Sequence, residues 1–101
     1  MIARIWRGET TAANADAYLD YPRRTSVAET PTIPGNRSMQ ILRRITGERA
    51  EFMTIILWES RDAICAFAGE EIEKAVFYPE DNVYLISKEL TVTHYDVFGA
   101  A

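Results

Sequence analysis

Cysteine and histidine are almost absent from this 101-residue sequence, which contains one of each, Cys65 and His94. A single cysteine excludes an intramolecular disulfide and is typical of a reducing compartment, so we expect a cytoplasmic protein. One cysteine and one histidine also cannot form a Cys/His metal cluster, and we predict no metal site.

Positive charge and long apolar runs are also scarce. Eleven Lys and Arg face fifteen Asp and Glu, which gives a net charge of −4 and argues against nucleic-acid binding. No apolar run is long enough to predict a membrane span. Arg4 and Arg7 interrupt the apolar start of the sequence, unlike a signal peptide. Gly-rich phosphate loops and a Gly-x-Ser-x-Gly nucleophile motif are missing as well.

What the sequence does contain is a strongly apolar stretch over 52–58, with the sequence FMTIILW. Its aromatic and β-branched residues predict a strand. Side chains alternate across a strand, so Phe52, Ile56 and Trp58 belong to one face and residues 53, 55 and 57 to the other. Both faces are therefore apolar, and both need to be covered.

A chain of this length has enough residues for about two helices, which cover one face of a sheet. We therefore predict that a second copy covers the other face, so that the protein is a homodimer through its sheet faces.

The remaining elements follow from hydrophobic periodicity and from helix and turn signals. The predicted elements are a strand over 2–8, a helix over 12–21, strands over 37–46 and 49–59, a helix from 61, a short helix from 70, and a strand over 90–98. Thr10 or Thr11 and Ser60 are candidate N-caps. Pro22 should kink or stop the first helix, and a further helical piece over 23–28 stays open.

Turn signals separate the later elements. Gly47, at positive φ, should close an antiparallel hairpin between the second and third strands. Gly69 should interrupt the helix whose buried stripe is formed by Ala63, Ile64, Phe67 and Ala68. Glu70, Glu71 and Glu73 suit the start of the next helix, which Pro79 should end. Residues 83–87 have no clear state.

The order β-α-β-β-α-β predicts a single α+β domain over 1–101. It is typical of a ferredoxin-like protomer with a four-stranded antiparallel sheet and both helices on one face.

Side chains able to form a site are mostly aromatic. As a set they could line an apolar cavity between sheet and helices, suited to a flat organic ligand, although each one alone is more typical of a core residue than of a pocket. These candidate substrate-binding residues are Trp6, Trp58, Phe67, Phe77, Tyr78 and Tyr84. His94 is the only side chain that titrates near neutrality, and it is the candidate catalytic base; the alternative is a partly buried histidine bonded to a neighbour.

Four segments carry a resemblance: IARIWRG at 2–8, PGNRSMQILRR at 34–44, TIILWESRDAICAFAG at 54–69 and THYDV at 93–97. Together they resemble the antibiotic biosynthesis monooxygenase family of dimeric α/β barrels. The resemblance implies a homodimer whose sheets form a barrel. It also implies one of two activities: oxidation of aromatic polyketides with O₂ and no metal or flavin, or binding and degradation of haem.

The haem activity does not suit this sequence. The positions that correspond to the family's helix tryptophan and axial histidine are Phe67 and Phe77 here, and a phenyl ring has no lone pair for iron. The polar residue of the family's first strand falls near Arg4.

The sequence therefore predicts a monooxygenase without a cofactor, acting on a small aromatic or quinol-like substrate. In this hypothesis His94 is the base and Trp58, Tyr78 or Tyr84 orients the substrate. The alternative function is a non-catalytic dimeric module that binds a small apolar ligand or has a regulatory role.

Overall fold

The structure of the protein, a computed structural model, describes residues 1–24, 30–77 and 81–99. Its elements in chain order are β1 (Ile2–Thr11), a 3₁₀ helix (Ala12–Asn14), α1 (Ala15–Arg24), a 3₁₀ helix (Thr30–Thr32), β2 (Asn36–Thr46), β3 (Arg49–Trp58), α2 (Arg61–Ala68), α3 (Asp81–Tyr84), β4 (Ser87–Lys88) and β5 (Thr93–Asp96).

The strands form one antiparallel sheet with β1 near its centre. Its order is β2-β3-β1, and both β5 and β4 pair with the remaining edge of β1. β5 lies opposite the first half of β1, with His94 opposite Arg4, and β4 lies opposite the second half, with Lys88 opposite Gly8. The predicted α+β, ferredoxin-like fold is confirmed. The fifth strand, β4, lies at the end of the stretch that the sequence left unassigned.

The central strand β3 has the two faces that the sequence predicts. Phe52, Ile56 and Trp58 are buried, and Met53 and the other residues of the opposite face are partly exposed. Phe52 packs in a cluster with Tyr18 of α1, whereas Ile56 and Trp58 pack with residues of α2. The helices α1 and α2 therefore cover the same face of the sheet. The opposite face is called the open face below.

The turn predicted at Gly47 and the helix caps predicted at Thr11 and Ser60 are present in the structure. Gly47 turns the β2–β3 hairpin at φ 60°. Thr11 and Ser60 accept backbone N–H bonds at the starts of their helices, from Asn14 at 3.3 Å and from Ala63 at 3.2 Å respectively. The cap of the first helical segment is thus Thr11, the last residue of β1, whereas the Thr10 hydroxyl donates to the Thr11 carbonyl at 2.9 Å.

Pro22 does not stop α1, which continues to Arg24. Proline removes the single backbone hydrogen bond that would join residue 22 to the Tyr18 carbonyl. The loss is one bond close to the end of a ten-residue helix, so the helix tolerates it. Of the open prediction over 23–28, the first two residues extend α1 and residues 25–29 lie outside the described residues.

The predicted short helix from residue 70 is wrong. Gly69 ends α2 at φ 86°, and residues 70–77, called the strap below, contain no helix. Lys74 instead forms an antiparallel bridge with Thr91, and the Val92 N–H donates to the Glu73 carbonyl at 2.7 Å. The strap's acidic residues therefore do not cap a helix, and Pro79 lies outside the described residues.

This pairing also explains why the last strand is shorter than the predicted range of 90–98. Residues 90–92 bond to the strap, so only Thr93–Asp96 pairs with β1.

Candidate active site

The helix-covered face of β1 carries a buried arginine. Arg4 is only 3% exposed, because the strap lies across it. Its guanidinium donates to two strap carbonyls, Ile72 O at 2.5 Å from Nη1 and Lys74 O at 2.8 Å from Nη2. Arg4 thus fastens the strap to the centre of the sheet.

His94 lies directly beside this guanidinium, since the β1–β5 register places the two residues opposite each other. The distance from Arg4 Nη1 to His94 Nε2 is 3.1 Å. An arginine N–H can only donate, so Nε2 accepts and the imidazole proton must be on Nδ1. The arrangement therefore holds a neutral His94 in a single tautomer.

Of this pair, Arg4 is the charged residue and His94 is the neutral one. Burial lowers the pKa of Arg4 to about 10, with Glu73 opposing the shift, so the guanidinium stays protonated at neutral pH. Burial also lowers the pKa of His94, helped by the positive charges of Arg4 and Arg61 and opposed by Glu73. His94 is consequently uncharged near neutrality.

Two predicted aromatic residues join this pair. The Phe67 ring, on α2, lies 5.8 Å from Arg4 Cζ and 5.2 Å from the centroid of the Trp58 ring. Trp58 is fully buried, and its Nε1 has no hydrogen-bond partner among the described residues. Arg4, His94, Trp58 and Phe67 together are called the Arg4 site below.

Trp6 and Phe77 form a separate cluster further along β1. Their rings meet edge to face at 6.1 Å, and Lys88 Nζ lies 4.5 Å from the Phe77 centroid. Trp6 Nε1 donates to the Glu89 carbonyl at 2.7 Å, which ties the chain beside β4 to β1. Trp6 shares the helix-covered face with Arg4, two residues away on the strand.

The remaining candidates lie elsewhere. Tyr84 is near Tyr18, at 6.0 Å between ring centroids, in the core cluster around Phe52. Tyr78 lies outside the described residues. The structure therefore brings together three of the predicted site residues, His94, Trp58 and Phe67.

Sequence reasoning did not select Arg4 as a site residue, although the polar residue of the first strand in the resembled family falls near it. The available signal was a charge within the strand face that also carries Ile2 and Trp6, since a cation among apolar neighbours is costly unless it has partners. Lys88 gave no such signal, because its contact with Phe77 depends on β4.

Two clefts lie away from the Arg4 site. One, of about 340 Å³, is lined by Arg7, Glu9, Glu51 and the β4 region, and the other, of about 540 Å³, lies beside the Gly47 turn. Within the described ranges, no group of three or more His, Cys, Asp or Glu residues is arranged to hold a metal ion. No helix in the same ranges has the length and apolar character needed to cross a membrane.

No protein-family model matches the sequence, and the search of curated proteins found no significant match. Solved structures match over nearly the whole chain. A Bacillus cereus protein assigned to the antibiotic biosynthesis monooxygenases is 15% identical, with a TM-score of 0.69 over 99% of this chain and 97% of that one. Another antibiotic biosynthesis monooxygenase is 19% identical, with a TM-score of 0.66 over 98% and 100%.

A third match is the haem degrader MhuD of Mycobacterium tuberculosis, whose structure contains two haems in its active site. It is 19% identical, with a TM-score of 0.62 over 100% of this chain and 99% of that one. At such identities the likeness establishes the fold. The chain has the ferredoxin-like fold of the antibiotic biosynthesis monooxygenases, as the sequence resemblance implies.

The haem of MhuD raises the question whether the residues here would fit one. A haem iron needs an axial lone pair. Phe67 and Phe77 offer none and pack against Trp58 and Trp6. His94, the one histidine, already uses Nε2 to accept from Arg4. At the two positions of the family's haem residues and at His94, the described side chains therefore offer no free axial ligand for a haem.

Proposed function

We propose that this protein is a monooxygenase that oxidises a small aromatic or quinol-like substrate with O₂ and without a cofactor. The observation that carries the proposal is the Arg4 site, in which a buried cation and a neutral imidazole lie beside two aromatic rings. The fold shared with antibiotic biosynthesis monooxygenases supports the same reaction class.

The reaction balances without an added reductant. An activated CH₂ group next to an aromatic carbonyl, as in an anthrone, loses a proton to His94 or to solvent and becomes an electron-rich anion. That anion reduces O₂, so that the CH₂ becomes C=O, one oxygen atom enters the product and the other leaves as water. The protein must bind the anion, orient it and exclude water. The substrate supplies all the electrons.

We further propose that the chain acts as a homodimer of single domains over 1–101, in the cytoplasm. The open face of the sheet supports the dimer, because Met53, Ile55 and Leu57 are apolar there and no helix of the described chain covers them. Antiparallel sheets with one bare apolar face commonly pack against a second sheet.

The alternative function is a dimeric binding module without catalysis. It is favoured by the burial of Arg4 and Trp58, which leaves the Arg4 site closed by the strap. A module of this kind would bind a small aromatic ligand and release it unchanged.

Oxygen uptake separates the two functions. Metal-stripped protein is offered a panel of anthrones and hydroquinones, and uptake is compared with the uncatalysed rate and with a His94→Ala variant. Saturable uptake by wild type that falls at least about tenfold in the variant supports a monooxygenase that uses His94. Binding of panel members without uptake above the uncatalysed rate favours the binding module instead. Equal uptake by the two proteins would remove His94 from the mechanism.

A further inference from the structure

Among the described residues, no carboxylate is in contact with Arg4 to balance its positive charge. Its described partners are the carbonyls of Ile72 and Lys74, the ring of His94 and the face of Phe67. In the described part of the chain Arg4 forms no salt bridge, and Glu73 acts on it only through space. Buried charges are normally paired, so a nearly buried cation with only neutral partners is poised for an anion.

His94 is poorly placed to be the base that creates this anion. Its Nε2 lone pair is already directed at Arg4, and its Nδ1 carries the proton. To accept a proton from a substrate, Nε2 would first have to give up its bond to the guanidinium. It would then become a cation directly beside Arg4, which raises the electrostatic cost further.

Apart from the three acceptors that already bind Arg4, the described surroundings offer aromatic surface and one N–H donor. Phe67 contacts both the guanidinium and the Trp58 ring, and the Trp58 N–H is without a partner among the described residues. Such surroundings match a flat ring that carries an ionised oxygen. They do not match a hydrated inorganic anion, which needs polar contacts on every side.

We propose that Arg4 binds the ionised oxygen of an aromatic substrate, and that His94 is a positioning residue that holds Arg4 rather than the base. The substrate class is then an acidic phenol or enol that loses its proton to solvent and enters as the anion. This inference rests on the proposed function for its substrate class, although anion binding itself requires no turnover.

The strap carbonyls occupy the place that the anion would take. A charge-assisted hydrogen bond is stronger than one to a neutral carbonyl, so an anion competes well for the guanidinium. Only Ile72 of the strap is buried, and besides Arg4 the strap is held mainly by its backbone bonds to residues 90–92. Segments with few buried apolar contacts open at low cost, which gives the ligand a route to Arg4.

The test uses 4-nitrophenol, a redox-inert phenol whose ionised form absorbs in the visible range, and 4-nitroanisole as its neutral analogue. We expect wild type to bind the nitrophenolate at least about tenfold more tightly than nitroanisole, the effect of one charge-assisted hydrogen bond. The pKa of the bound nitrophenol should fall accordingly. Equal affinity for the two probes, or binding of neither, would overturn the proposal.

Variants then assign the residue. Arg4→Gln keeps an N–H donor for the strap but loses the charge, and it should lose the preference for nitrophenolate while its affinity for nitroanisole is unchanged. Arg7→Gln is the matched control, because Arg7 lies on the opposite face of the same strand and pairs with Glu89. It should bind both probes like wild type. An Arg4→Gln protein that folds, by its circular dichroism, and still prefers nitrophenolate contradicts the assignment.

His94 is tested by rescue. His94→Gln supplies an amide oxygen that can accept from Arg4 but cannot act as a base near neutrality, whereas His94→Ala supplies neither. A positioning role predicts nitrophenolate binding within about twofold of wild type for the Gln variant and weaker binding for the Ala variant. Equal losses in both would refute that role. If the probe binds as expected and no panel substrate consumes oxygen, only the monooxygenase proposal fails.

Discussion

At the scale of single residues, the site depends on two side chains whose sequence signals differ. The alternation of β1 assigns Arg4 to the face of Ile2 and Trp6, and the structure agrees. That Arg4 contacts His94 could not be predicted, because the contact depends on the register between strands ninety residues apart in sequence. Alternation fixes the face of a side chain, whereas only the register fixes its neighbour.

The depressed pKa of His94 has a consequence for stability. Burial and the charges of Arg4 and Arg61 disfavour its protonated form in the folded state, while Glu73 favours it. The unfolded chain therefore takes up a proton first as the pH falls through 6.5, the ordinary value for histidine. The contribution of uncharged His94 to the free energy of unfolding is therefore complete above that pH and is lost as the pH falls below it.

We therefore expect acidification through this range to lower the melting temperature of wild type more than that of His94→Gln. The measurement is thermal unfolding by circular dichroism over a pH series. Since His94 is the only histidine, the difference between the two proteins isolates its titration. Parallel curves would show that its pKa is not lowered in the folded protein.

At the scale of elements, most strands and both longer helices could be predicted, and the strap could not. The acidic residues of 70–73 and the apolar Ile72 resemble a helix start locally. In the structure the backbone of the strap instead bonds to residues 90–92 and to Arg4. Long-range partners of this kind override a weak local preference, since a short isolated helix is barely stable.

The attachment of β4 to β1 is a second feature of this scale. Gly8 leaves room for the Trp6 ring, which lies over it; a Cβ atom at position 8 would come within 2.4 Å of Trp6 Cη2. In that position the indole N–H reaches the Glu89 carbonyl just beyond β4. The short strand therefore depends on a glycine in the strand next to it.

Gly8→Ala should displace Trp6, weaken the attachment of β4 and lower the free energy of unfolding by about 1–3 kcal/mol, the usual cost of overpacking. Urea unfolding followed by tryptophan fluorescence measures the change. Gly99→Ala is the control, because a Cβ atom there meets nothing within 4 Å and should leave stability unchanged. A Gly8→Ala protein as stable as the control would mean that the Trp6 ring adapts without cost.

At the scale of the whole molecule, the open face is divided into an apolar part and a charged part. Ala3, Ile5, Ile55 and Leu57 lie towards one end of β1 and β3, and Tyr95 of β5 is beside them. The other end carries ion pairs, Arg7–Glu89, Arg49–Glu9 and Arg44–Glu51. Desolvating these pairs would be costly, so the proposed dimer contact should be centred on the apolar end.

Ile55→Arg should convert the dimer into a monomer, because it places a charge in the centre of that contact. Light scattering of the wild type and the variant at equal concentration measures the mass. Val83→Arg is the matched control, since Val83 is an apolar residue of α3 that is 71% exposed and lies outside the sheet. It should keep the dimer mass. A monomeric wild type, or a dimeric Ile55→Arg protein, would contradict the predicted interface.

The far edge of the sheet is formed by β2, a strand of eleven residues with no pairing partner on its outer side among the described residues. The unpaired backbone groups of such an edge can bond to an extended strand of another molecule. Repeated pairing of this kind would build an open-ended fibre. β2 carries Arg37, Arg43 and Arg44, each held in place by a carboxylate, from Glu59, Asp16 and Glu51 respectively. Two such edges approaching each other would bring guanidinium against guanidinium. The arginines of β2 are thus expected to disfavour edge-to-edge growth, which leaves the proposed contact through the open face as one that ends at two copies.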